Sequence, residues 1–207
     1  LYSFLHQPVK TPYESYLAGF FPQSLNMDRI IGESYMRVHD FRTARDWFRK
    51  VPVNEQLASY QVFRPQLQDF GEDTAEAGYD KAITQYQFCE RMIQLQEKMK
   101  KPAPAKVYYE YASALFNLSY YGRTWYFLKS YRPTWMWYTT GCDKDAFLKQ
   151  YFGCYEAESY YLKAAEASTD KEFKARCLFL AARCSQKHTP ENADDDKYIT
   201  ALVYNRY

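Results

Sequence analysis

Residues 30–51, IIGESYMRVHDFRTARDWFRKV, read as two short amphipathic helices set back to back, turning near His39-Asp40. The first is predicted over 27–38, with Ile30, Ile31, Ser34, Tyr35 and Val38 near one face. Asn26 and Asp28 are its candidate caps, and an acidic residue suits the positive end of a helix. The second is predicted over 41–51, with Phe41, Ala44, Trp47, Phe48 and Val51 inward and Pro52 ending it. Small Gly32 and Ala44 stand where the helices approach closely, and Tyr35, Phe41 and Phe48 fill the groove between them. Such a hairpin cannot bury its apolar side alone, so the flanking chain must supply neighbours.

Working outward, residues 1–23 form an irregular lead-in punctuated by Pro8, Pro12 and Pro22, with Thr11-Pro12 starting a short helix over 13–20. Residues 53–73 lose the period at Pro65 and Gly71 and allow one short helix near 54–60. This connector is either packed by its own Tyr60, Phe63 and Phe70 or functional. Residues 74–100 regain a three-four spacing through Tyr79, Ala82, Ile83, Tyr86, Cys89, Met92, Ile93 and Gln96, and Pro102 stops the helix. The helix over 105–120 is apolar nearly all round, as a helix buried on more than one side would be. Residues 123–153 are a second irregular insertion, with short helices over 124–131 and from Asp143 to Tyr151. In the helix over 154–167, Ala157, Tyr161 and Ala164 repeat the spacing of Ala44, Phe48 and Val51. Thr169-Asp170 then starts a helix with Phe173, Cys177, Leu180, Ala181 and Cys184 on one face. Residues 198–207 begin a last one.

Composition supports an all-α chain. There are 22 Tyr, 14 Phe and 4 Trp against only 7 Gly, so rings filling helix–helix grooves are expected, with their hydroxyls at the edge. With 27 Lys+Arg against 25 Asp+Glu the net charge is +2, which gives no reason to expect nucleic acid or an anionic membrane as partner. No apolar run reaches the about 18 residues of a membrane span. The opening LYSFLHQPVK has neither the basic nor the apolar region of a signal peptide. Starting at Leu1 without methionine, the chain reads as a processed product or a piece of a longer protein.

Gly32, Tyr35, Ala44 and Phe48 match the signature spacing of the tetratricopeptide repeat, a helix–turn–helix unit of about 34 residues. The match departs at Val51, where the repeat carries alanine, and at the early Pro52. Residues 108–127, YYEYASALFNLSYYGRTWYF, make the resemblance more specific, together with AITQYQFCERMIQLQEK, CYEAESYYLKAAEAS and KARCLFLAARC. These segments resemble a group of large bacterial proteins built from irregular tetratricopeptide-like repeats, over residues 27–190. The resemblance implies a binding scaffold in an exported or cell-envelope protein and offers no catalytic residue to carry over.

The chemistry-bearing residues are sparse. His6, His39 and His188 lie in three connectors, none at metal-ligand spacing. No GxGxxG, GxxxxGK or GxSxG occurs. Asp194-Asp195-Asp196 lacks the ladder and glycine of a calcium loop and reads as solvated. Glu156 and Glu158, two apart on a helix, must face different ways, which disfavours a catalytic carboxylate pair. Asn117-Leu118-Ser119 is a glycosylation sequon only formally, being mid-helix. The five cysteines, Cys89, Cys142, Cys154, Cys177 and Cys184, read as buried small hydrophobes, with a Cys142–Cys154 pairing left open.

Two features rise above this background. In the loop 132–142, Trp135, Trp137 and Tyr138 either stack on a sugar, clamp an extended peptide, or fold back to seal a repeat end. On the first hairpin helix, Arg29, Glu33 and Arg37 either line the concave groove of a repeat stack or form a solvated row with local ion pairs. The expectation is a single all-α domain over 1–207, a tetratricopeptide-like irregular α-solenoid of antiparallel helix pairs. It is expected to act as a non-enzymatic scaffold for a protein or peptide partner, with no catalytic residue, metal or cofactor. An aromatic-rich carbohydrate-binding module is the alternative.

Overall fold

The computed structural model describes residues 2–8, 10–20, 26–67, 81–132 and 144–188. Among them the chain is all-α, with nine α-helices and one two-stranded antiparallel bridge. Helices α1 (Tyr2–His6) and α2 (Pro12–Ala18) form the lead-in, and α3 (Met27–Arg37) and α4 (Phe41–Phe48) form the hairpin. They are followed by α5 (Gln85–Lys98), α6 (Ala105–Leu118), α7 (Ala146–Gly153), α8 (Tyr155–Glu166) and α9 (Lys171–Gln186). No helix among the described residues is long and apolar enough to cross a membrane.

Short polar side chains set most helix starts. Thr11 and Glu14 close a capping box at α2. The side chains of Asn26, Asp40, Asp145 and Asp170 accept from backbone amides at the starts of α3, α4, α7 and α9. Two starts depart from the sequence expectation. Helix α7 is capped by Asp145, where Asp143 was expected. Helix α5 begins at Gln85, because Thr84 and Gln87 form a reciprocal capping box there. The preceding β2 (Ile83–Thr84) instead pairs with β1 (Ala58–Ser59), so residues 81–84 are not helical. Residues 53–55 and 125–127 form single 3₁₀ turns where longer helices were predicted over 54–60 and 124–131.

The hairpin closes as an interlock. A Cβ on Gly32 would sit 2.8 Å from the Phe48 ring, so only glycine lets α3 come this near. Phe41, Ala44, Phe48 and Val51 are buried as expected. The inward face of α3 is not the predicted one: Gly32, Glu33 and Met36 are buried, while Ser34, Tyr35 and Val38 are exposed. Of the apolar stripe counted from sequence, Ile30 and Ile31 are half-buried and the rest lies outside. In α5 the expected Cys89, Met92 and Ile93 are buried, and Gln85, Phe88 and Leu95 widen that face.

Helices pack in chain order, α3 on α4, α4 on α5, α5 on α6, α6 on α8 and α8 on α9. The helix echoing α4 therefore uses α6 and α9 as its main partners, while α7 stands to one side. Phe88 is the hub of the first half, with Phe41, Phe63 and Phe127 around it at centroid distances of 5.4 to 6.0 Å. In the second half Tyr161 is wholly buried and donates to Ser113 Oγ at 3.1 Å. Its ring meets Tyr109, and Tyr160 meets Tyr111. Grooves filled by tyrosine rings are what the composition predicted.

One buried side chain holds three carbonyls of the connector over 56–67. Asn117 is fully buried, and its Nδ2 donates to the carbonyls of Gln61, Val62 and Arg64 at 3.0, 3.2 and 2.7 Å. An amide so engaged is no glycosylation acceptor, which explains the formal sequon. Gly122 closes the turn after α6, since a Cβ there would collide with the Asn117 backbone.

Candidate functional site

The two features singled out in the sequence fare differently. Trp135, Trp137 and Tyr138 lie outside the described residues. Arg29, Glu33 and Arg37 are no solvent-facing row, as they turn toward the rest of the fold. Glu33 is 9% exposed and accepts from Gln85 Nε2 at 3.2 Å, with Arg29 Nη1 3.8 Å away. Gln85 also donates to the Phe127 carbonyl and accepts from Leu57 N, so it joins α3, the connector and the turn over 125–127. Burial raises the Glu33 carboxyl above its ordinary value, against the pull of Gln85, Arg29 and Arg37. Arg37 reaches the other way, its Nε donating to the Leu128 carbonyl at 2.8 Å.

Arg37 thereby enters a cleft that the sequence did not reveal. Its walls come from the α3–α4 turn (His39), the end of α6 (Leu115, Leu118), Leu128, α7 (Phe147, Gln150, Tyr151) and the start of α8 (Glu156, Ala157). The cavity volume is about 20 Å³, room for one or two waters and far too little for a sugar ring. Strained backbone gathers here. His39 (φ 58°) and Cys154 (φ 54°), the two non-glycine residues with left-handed backbone among the described residues, both line it. Such residues cost about 1–3 kcal/mol each and cluster at functional sites.

Two histidine–glutamate contacts brace α8 at its first turn. His39 Nδ1 lies 2.9 Å from Glu156 Oε2, its ring stacked on Phe41. On the other side His188 Nε2 lies 3.1 Å from Glu158 Oε2, its ring stacked on Tyr155. The two carboxylates face different ways, as their spacing predicted. The His39 hydrogen bond holds the Glu156 carboxyl below its ordinary value, against the opposing effect of burial.

Around the cleft runs a seam of rings with cations seated on them. Phe147, Tyr151, Tyr120 and Tyr121 follow one another at centroid distances of 5.3, 6.2 and 5.1 Å. Arg37 and Lys129 lie over Phe147, Lys129 also over Tyr151, Arg132 over Tyr120 and Trp125, and Lys187 over Tyr121. None of these four cations meets a carboxylate at ion-pair distance among the described residues, whereas Arg91 on α5 holds Glu110 on α6 through a two-point bond. Tyr151 is 2% exposed, yet its hydroxyl has no hydrogen-bond partner among the described residues. Burial pushes this phenol up to about 12, with Arg132 and Arg37 pulling it back.

Cys89, Cys154, Cys177 and Cys184 are buried and free. Burial pushes each thiol up, Cys154 and Cys177 to about 11, away from the thiolate a nucleophile needs. Cys142 lies outside the described residues. No group of three or more metal-ligating side chains occurs among the described residues. Comparison with family models, curated proteins and solved structures returned no match to the chain.

Proposed function

We propose that this chain is a non-enzymatic protein–protein interaction scaffold of the tetratricopeptide-repeat type, an irregular α-solenoid of antiparallel helix pairs. The observation that carries the reading is the packing of α3, α4, α5, α6, α8 and α9 each on the next, the arrangement by which repeat arrays extend a binding surface. Two details support it. Gly32 and Phe48 interlock as the repeat signature requires, and Ala157, Tyr161 and Ala164 are buried in α8 as Ala44, Phe48 and Val51 are in the hairpin. The resemblance adds a bacterial exported or envelope protein as setting. The partner is a protein or peptide segment laid against exposed helix and connector surface.

Selection of a displayed random-peptide library on the immobilised chain tests this. Enrichment of a peptide family that binds the soluble chain in calorimetry is expected. Recovery of no binding sequence would remove the support for a scaffold.

A further inference from the structure

The cleft and its seam narrow the partner's chemistry. Four cations are spaced along connected rings, held forward by the aromatic faces beneath them. Arg37 spends its Nε on the Leu128 carbonyl, and its terminal amino groups make no hydrogen bond to a described residue. Beside it stands the unpartnered Tyr151 hydroxyl, a buried donor that costs stability where it is. Guanidinium and phenol together would hold a carboxylate in the fork geometry that arginine favours. Glu156, the only carboxylate lining the cleft among the described residues, faces His39.

Size and charge then discriminate between ligands. A cavity of about 20 Å³ admits a carboxylate head but no pyranose. Cations continuing outward through Lys129, Arg132 and Lys187 suit a run of acidic residues better than a single ion.

We propose that this cleft receives a carboxylate side chain from an acidic segment of a partner protein, the neighbouring acidic residues lying along the ring seam. The proposal rests on the scaffold reading and specifies its partner. Lys187 at the end of α9 and Arg37 at the end of α3 mark the two ends of the contact.

Fluorescence anisotropy of labelled hexaglutamate, hexalysine, a neutral Gly-Ser hexapeptide and an oligothymidylate, each with the full chain at low ionic strength, tests it. Hexaglutamate alone is expected to bind, weakening as salt is raised. Tyr151→Phe should weaken binding about tenfold, the loss of one hydrogen bond to a charged group, while the thermal midpoint stays level or rises. The double change Lys129→Gln and Arg132→Gln, on half-exposed and exposed side chains, should also weaken it at least about tenfold.

Failure of hexaglutamate to bind, or equal affinity in both variants, would overturn the proposal. So would tighter binding of oligothymidylate, or displacement of hexaglutamate by inorganic phosphate at equimolar concentration. Library peptides that still bind the double variant would leave the scaffold reading standing after such a failure.

Discussion

Two sides of α3 meet the rest of the molecule in opposite ways. Toward α4, Gly32 touches the Phe48 ring, and the surrounding Met36, Phe41, Ala44 and Val51 are sealed. The one carboxylate there, Glu33, is matched by the buried Gln85. Toward α7, Arg37 enters a cleft whose cations rest on rings instead of carboxylates and whose phenol has no partner among the described residues. The first contact is satisfied within the chain and serves stability. The second holds unspent hydrogen-bonding capacity beside strained backbone, which a structural role does not require.

Substitutions can separate the two. Phe48→Ala, in the interlock, is expected to cost about 3–5 kcal/mol, measured as a shift in denaturant midpoint, since Phe48 is wholly buried. Gly32→Val forces a methyl-bearing carbon into the same ring and should cost about 1–3 kcal/mol. If either were neutral, the interlock would not be what closes the hairpin.

The two carboxylates give a finer contrast, with opposite signs in pH. Burial raises Glu33 above the ordinary 4.5. Its contribution is thus fully present below that value and is lost as pH rises through the folded value. Glu33→Gln should therefore be the more stable form at pH 7, with the advantage gone below about pH 4. Glu156 is lowered by His39, so its contribution is present above 4.5 and is lost as pH falls through the folded value. Glu156→Gln should cost about 0.2–1 kcal/mol at pH 7, discounted for its exposure, and nothing in acid. Urea titrations of both variants at pH 7 and at a pH about two units below 4.5 check the crossing.

Much of this was legible before any coordinates. Helix positions follow from Thr11, Asp40, Asp170 and the prolines, because caps and breakers act within a few residues. Tyrosine-filled grooves and the burial of Ala157, Tyr161 and Ala164 follow from spacing. The polar members of the inward faces, Glu33 and Gln85, did not, since they become interior only by meeting each other across 52 residues. Thr84 and Gln87 did carry the true start of α5 as a capping-box spacing, and the run of apolar residues before it outweighed that signal. The cleft was invisible for the same reason of distance. His39 and Glu156 are 117 residues apart, and neither has a local pattern that announces the other. Arg37 stands out in the sequence as a candidate for binding, but nothing near it in sequence announces the cleft it enters.

Amide hydrogen exchange of the chain with and without saturating hexaglutamate tests the central claim most directly. Slowed exchange over 119–132 and 146–158, with 27–36 and 41–48 unchanged, is the predicted result. Protection confined to the α3–α4 hairpin, or spread evenly over every helix, would contradict it.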